Sequence, residues 1–463
     1  MSTSNLTLRM TEFICSAADD SLSAAAREQA TRAILDTLAV TVAGGVEEPV
    51  SLLDHALDPS TAAGGSVSPW SGKRLGTEDA ALLYGMASHV LDYDDVSMLG
   101  VCHPSAPILA ALLAATPVAT KVQPPSGRTF QLAFCVGTEV MGRVGQALGF
   151  RPYELGFHTT AILGTIGAAA AASRLLGLDR VRTAHALAIA ASMAAGLRKN
   201  FGSMVKPLHV GLAASNGLRA ARLAAAGVEG SAEPFESDAF LKAFSGGVTD
   251  SWPNGIAFGQ PYALETPGFD QKLFPCCYML HKMIAATLAL RTESGCTLAQ
   301  VQGALVLMPK GGSCPLIHPR PRTGLHGKFS APYAIVASLL DGRIDLKSFT
   351  DFAVMRPEVQ ARLTDVTVVE NDTAPVHGAD MDGPVTVTLT MRDGAVLTRT
   401  VEHAPGSAAD PLPLDQLQVK WIDCLQHGRP SLPAAQAASL FDEGCRLETM
   451  PGISTWLSAV LTH

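Results

Sequence analysis

Three carboxylates and two imidazoles lie within one short stretch of the chain: His89, Asp92, Asp94, Asp95 and His103. Imidazoles move protons near neutral pH, and carboxylates orient imidazoles or hold cations. The stretch closes an otherwise apolar pattern, where ionisable groups are costly unless they are paired or at work. Two readings are open. His89 and Asp92 stand three apart, so on a helix they would share a face and could hold a metal ion. Alternatively, Asp94 and Asp95 cap a helix end and form an internal ion pair. A prenyl-diphosphate DDxxD box is excluded, because Met98 stands where its last Asp would be.

Three further strings carry polar groups into apolar surroundings. His158, in Gly156–Thr160, precedes an Ala-rich helical pattern. Lys206, in Asn200–His209, stands directly before Pro207 at the mouth of another, where its ammonium could meet an anion. Lys272–His281 holds the thiol pair Cys276–Cys277. Each has a plainer reading: a lone imidazole at a helix start is usually structural, an isolated lysine a surface group, a free thiol pair small core filler. Nucleotide signatures fail. Gly327-Lys328 lacks the upstream Gly and the Ser/Thr of a phosphate loop, and no GxGxxG follows a strand. Ala243–Gly247 lacks the first Gly of a nucleophile elbow.

The elements that must position these groups are mostly helices. Ala24–Val42 is apolar at helical spacing, with Gly44–Gly45 as its stop. Thr77 is expected as an N-cap, with Glu78 and Asp79 in the first turn of a helix through Leu91. Pro107–Ala115, Ala161–Leu176, Thr183–Leu197 and His209–Ala226 are apolar nearly all round, which means burial on several sides. From about Thr266 the character changes. Val301–Met308 and Asp365–Val369 read as strands, Ala331–Leu340 as a helix ending at Asp341–Gly342, and Val385–Val401 as a hairpin with an Asp-Gly turn. Leu414–Leu425 and Ala434–Leu447 return to helix and are expected to pack back on the first part. The fold class is mainly α: a large multilayer all-helical domain of residues 1–265 and 405–463, plus a smaller α+β lid domain of residues 266–404.

Length and composition agree. A chain of 463 residues favours two domains, and 47% hydrophobic against 16% charged residues demands a thick interior. A net charge of −8 leaves no basic stripe for nucleic acid, although a small anion needs only local cations. Nine scattered cysteines, an odd number, argue against disulfides. Met1–Ser16 shows no signal-peptide pattern, so a reducing cytoplasm is expected. Ala161–Ala172 is too short to span a bilayer.

His89–Pro107, Gly156–Leu178, Asn200–Leu218, Phe274–His281 and Pro321–Gly342 resemble five signatures of the MmgE/PrpD family, in the family's order. That family includes 2-methylcitrate dehydratase, cis-aconitate decarboxylase and iminodisuccinate epimerase, and its members pair a helical domain built from both chain ends with a small α+β lid. The resemblance implies catalytic roles for Asp92, His103, His158 and Lys206, with no cofactor and no metal. It implies substrate contacts for Cys277, His281, Arg322 and His209, a small polycarboxylate as substrate, and a homodimer. The decarboxylases carry His where this chain has Cys277 and Thr where it has Val96, and His326 replaces a common Glu. Their loop before His103 is also one residue shorter. Proton transfer beside a carboxylate is the shared chemistry. Lys206 would hold a carboxylate, the imidazoles would be acid and base, and Asp92 would orient one of them. Because of those departures, dehydration of a citrate-like hydroxy acid stands first, epimerisation second and decarboxylation third. A catalytically silent carboxylate binder is the reading outside enzymes.

Overall fold

A computed structural model of the chain describes residues 6–61, 65–236, 239–249, 252, 255–371 and 382–462. It is mainly helical, with one small mixed sheet and a two-stranded ribbon. Four helices form the heart of the larger part: Thr77–His89, Ser105–Ala119, Thr159–Leu175 and Val205–Ala225. Thr159–Leu175 is buried almost all round because nearly every side meets another helix, whereas Val205–Ala225 keeps one side, with Leu212, Arg219 and Leu223, at the surface. Small residues let the backbones come close. A Cβ on Gly85 would lie 2.6 Å from the Cα of Gly211, and one on Gly217 would lie 2.7 Å from the carbonyl oxygen of Thr165. The Gly85–Gly211 crossing brings the C-terminal end of one helix, at His89, beside the N-terminal end of another, at Lys206.

Several expected boundaries shift for physical reasons. Gly76, not Thr77, occupies the N-cap position, and Thr77 begins the helix. The helix ends at His89, and Asp92 sits in the left-handed region at φ 52°. His89 and Asp92 therefore do not share a helix face. The third helical pattern stops at Met193, and Leu197 instead forms an extended bridge to Phe157. The fourth begins at Val205, so Lys206 and Pro207 fall in its first turn, where an absent N–H costs nothing.

The smaller α+β part carries a four-stranded sheet in the order Val366–Asn371, Val301–Pro309, Val385–Met391, Val396–Val401. The first pair is parallel and the others antiparallel. The hairpin turns at Gly394 (φ 88°), as the Asp-Gly signal indicates. Alternation puts Val385, Val387 and Leu389 inward, while Thr386 and Thr388 pair with Thr400 and Thr398 on the other face. Helices His281–Ser294 and Ala331–Asp341 pack against each other and the sheet, and Gly342 ends the second with φ 70°.

Two apolar clusters result. One joins residues from Leu6 to Phe269 with Leu417–Leu461, because Leu414–Gly428 packs back on Ala24–Gly44. The other runs from Phe274 to Ala404 and takes in Val96, Phe150, Tyr153 and Phe201 from the helical part. All nine cysteines are free. Among the described residues no helix is long and apolar enough to cross a membrane.

Candidate active site

A small cavity of about 50 Å³ lies where the two clusters meet, at the scale of a few waters. The helical part lines it with Asp92, His103, His158 and Lys206, and the α+β part with Cys277, Met279, Pro315 and Phe329. Two backbone links hold the walls together. Val96 and Asp270 exchange N–H···O bonds of 2.9 and 2.8 Å, which sets Lys272 beside Asp92. The ammonium of Lys328 donates to the carbonyls of Leu91 and Pro275, both at 2.7 Å, tying the Asp92 loop to the segment before Cys277.

Asp92 is the hub. One carboxylate oxygen accepts from Lys206 at 3.0 Å and the other from Lys272, whose ammonium also binds the Asp92 carbonyl at 2.9 Å. These donors hold Asp92 in a conformation that residues with side chains rarely adopt. Burial alone would push its carboxyl up, but Lys206 and Lys272 hold it well below the ordinary value. Burial works against Lys272 as well, and Asp92 and Asp94 outweigh it, so the ammonium persists.

Lys206 also donates to Nε2 of His89 at 2.6 Å, and His89 places Nδ1 within 2.8 Å of Asp94. A nitrogen that accepts from an ammonium carries no proton, so His89 is neutral and donates from Nδ1 to an ionised Asp94. Burial, reinforced by Lys206, takes its pKa down to about 3. His103 stands edge-on to His89 at 4.5 Å, with Nδ1 3.3 Å from Asp94 and Nε2 4.0 Å from Asp92. The backbone N–H of His103 donates to Thr160 at 3.1 Å. His158 faces the cavity, backed by His209 with the two Nδ1 atoms 3.2 Å apart and by the Phe201 ring. Burial lowers both His103 and His158, and in His158 the charge of Lys206 adds to it. Two unprotonated imidazoles thus flank an ammonium. Two of that ammonium's three hydrogens are committed, and Lys206 lines the cavity with capacity to donate once more.

The residues expected to touch substrate divide. Cys277 lines the cavity with a neutral thiol, raised to about 11 by burial. His209 does not line it and supports His158 from behind. His281 is wholly buried beside the rings of Phe274 and Tyr278, outside the cavity wall. Arg322 is exposed and outside it too: Thr323 caps the short Gly324–Gly327 turn, which directs Lys328 inward and leaves Arg322 on the surface. Asp95 takes the capping role expected of it, accepting from the N–H of Ser105 at 3.1 Å and from its hydroxyl. Lys272 and Lys328 were not singled out from the sequence, since nothing local separates a buried lysine from a surface one.

His89, Asp92, Asp94 and His103 each offer an atom within 4.8 Å of the others, a set that could hold a metal ion. Here ammonium groups occupy both oxygens of Asp92 and Nε2 of His89, so the positive charge such a set attracts is already supplied.

Residues 8–252 match the MmgE/PrpD N-terminal domain and residues 274–442 the MmgE/PrpD C-terminal domain. The chain belongs to the MmgE/PrpD family. It is similar to the cis-aconitate decarboxylase of Homo sapiens, 30% identical over 405 residues that cover 85% of this chain and 82% of that one. The enzyme of the same name from Mus musculus is 28% identical over 84% of this chain and 80% of its own. That of Aspergillus terreus (strain NIH 2624 / FGSC A1156) is 29% identical over 76% and 75%. Family and relatives together indicate a lyase. Dehydration stood first in the reading of the sequence, and these MmgE/PrpD relatives favour decarboxylation, which stood third.

Proposed function

We propose that this MmgE/PrpD protein is a cofactor-free lyase that removes CO2 from a small unsaturated polycarboxylic acid. The observation that carries the reading is Lys206, held between Asp92 and His89 in the cavity wall that His103 and His158 also line, with capacity to donate once more. The ammonium anchors a carboxylate of the substrate. When the C–C bond to the departing carboxylate breaks, its electron pair enters the adjacent carbon framework, and an imidazolium delivers the proton that completes the product. Both imidazoles are neutral in the empty site, so the anion itself raises their proton affinity and binds with uptake of a proton. Asp94 orients His103 and stabilises its charged form, while Asp92 fixes the two ammonium groups.

Dehydration is the second reading, and Cys277 favours it. A neutral thiol stands in the wall where the resemblance leads one to expect an imidazole in decarboxylases. The same pair of imidazoles would then take a proton beside a carboxylate and protonate the departing hydroxyl. Incubation with cis-aconitate, citrate and iminodisuccinate in deuterated water separates the readings. Release of CO2 supports decarboxylation, loss of water dehydration, and label without turnover epimerisation. No change in any acid, with binding intact, would leave a carboxylate-binding protein.

A further inference from the structure

A ligand with several carboxylates needs several cations, and the cavity offers few. Among the described residues of its wall, Lys206 is the one lysine or arginine, and it already serves Asp92 and His89. Lys272 is spent on Asp92, and Lys328 ties the carbonyls of Leu91 and Pro275 together. The ionised Asp92 and Asp94 match Lys206 and Lys272 before any ligand arrives. One carboxylate can meet Lys206. A second has to find its countercharge in protonated imidazoles or in a cation outside the wall.

Arg198 is such a cation. It opens the short turn Arg198–Asn200, where its backbone N–H donates to the Gly156 carbonyl at 2.9 Å. Its guanidinium lies 4.5 Å over the ring of Tyr153, which lines the cavity. Its charge reaches the far end of that side chain: burial and Cys277 push the Tyr153 hydroxyl up, and Arg198 works against them. The guanidinium also donates to the sulfur of Cys314 at 2.6 Å, and this exposed residue adjoins Pro315 of the cavity wall. Among the described residues no carboxylate pairs with Arg198; its partners are Cys314 and Tyr153. A thiol and an aromatic face are weak partners for a guanidinium, whose planar fork suits a carboxylate far better. The cavity has room for only a few waters, so a polycarboxylate has to displace part of the wall. Displacing Pro315 would draw Cys314 away from Arg198 and free the fork.

We infer that Arg198 is a second carboxylate-binding group of this site, exchanging the Cys314 sulfur for a carboxylate of the ligand. This rests on the proposed polycarboxylate reading of the same site and deepens it. Lys206 takes one carboxylate and Arg198 another, so the pair selects acids that carry at least two. A monocarboxylate satisfied by Lys206 leaves Arg198 with nothing to hold. The plain alternative is a clamp, in which Arg198 does no more than join the helical part to the segment around Cys314.

The test is calorimetric binding of tricarballylate, glutarate and butyrate, saturated acids with three, two and one carboxylates, to the full chain and its variants. Arg198→Met should weaken tricarballylate and glutarate by about tenfold or more, the worth of a hydrogen bond to a charged partner, and butyrate by less than about twofold. Arg198→Lys should fall between, since it keeps the charge and loses the fork. Cys314→Ala removes the competing sulfur and should tighten tricarballylate by a few-fold. Lys199→Met, at the neighbouring exposed cation, controls for long-range charge and should change each affinity by less than about twofold. Should Arg198→Met not fold, Arg198→Gln serves in its place. Equal weakening of all three acids, or weaker binding with Cys314→Ala, would show a clamp; either result, or unchanged binding with Arg198→Met, would overturn the inference and leave the polycarboxylate reading standing. Binding of none of the three acids to the wild-type protein would overturn both.

Discussion

Two buried carboxylate–lysine clusters lie side by side in this molecule and serve different ends. Asp36, on the Ala24–Gly44 helix, pairs with Lys420 at 2.7 Å, and Lys420 also donates to the carbonyls of Tyr93 and Lys272 at 2.9 and 2.8 Å. Asp92 pairs with Lys206 and with that same Lys272. Burial, fold region and residue types are nearly alike. Asp36 has one close ammonium and its carboxyl is raised by burial, whereas Asp92 has two and is held low. Neither Asp36 nor Lys420 borders the cavity between the two apolar clusters, and Asp92 and Lys206 do. Burial of an ion pair is therefore no sign of chemistry in itself. The sign is a buried ammonium that borders a cavity and has donor capacity beyond its two partners.

Replacing the two lysines tests that contrast most severely. Lys206→Met should cost about 2–5 kcal/mol of transition-state stabilisation, read as kcat/KM, because a desolvated charge contact to the substrate is lost. Its melting temperature should fall little, since Lys272 still pairs with Asp92. Lys420→Met should do the reverse, lowering stability by about 3–5 kcal/mol by leaving Asp36 unpaired, with near-normal kcat/KM in the folded fraction. Equal activity losses in the two variants would break the distinction.

The acid response of the two carboxylates should differ in sign. Asp92 is held below the ordinary value of 3.8, so the stability it contributes is present above that pH and is lost as pH falls through its folded value. Asp36 is raised, so its contribution is full below 3.8 and is lost as pH rises through its folded value. Denaturant unfolding of Asp92→Asn and Asp36→Asn across acid pH should show differences from wild type that run in opposite directions. Parallel curves would show that the second ammonium does not matter.

In activity, the imidazoles should set the pH profile. Because His103 and His158 lie below the ordinary 6.5, kcat/KM should decline as pH rises, with a midpoint under that value. A profile that instead rises through 6.5 would mean that an unprotonated imidazole is the working form, and would favour the dehydration reading. The smallest effect should come from Cys277→Ser. A neutral thiol in the wall should change KM several-fold and leave the melting temperature nearly unchanged, whereas a loss of stability with normal kinetics would make it packing.

Much of this was legible before the structure. The helical core, the Asp-Gly hairpin and the return of the tail follow from apolar periodicity and turn chemistry, whereas the site placement of His103, His158 and Lys206 comes from the resemblance to the MmgE/PrpD family, since the residues alone favour a structural imidazole at 158 and a surface lysine at 206. The Asp92 turn was not. Apolar periodicity continues through Val90 and Leu91, and only distant donors, above all Lys272, 180 positions away, hold the left-handed backbone that ends the helix. Arg322 misled for the converse reason: a cation within a matching string was read as facing inward, and a cap at Thr323 turns it out.

The Gly85–Gly211 crossing has a consequence far from its own position. Ordinary contact would require a Cβ at residue 85 to stand about 3.4 Å or more from Gly211, and it would find only 2.6 Å. One methyl group would thus ask the two helices to part by ~0.8 Å at that point. Lys206 and His89 lie about a turn away, and their 2.6 Å contact has little slack to absorb such a wedge. Two hydrogen atoms, on residues that touch no substrate, act as the gauge block against which the reactive groups are set.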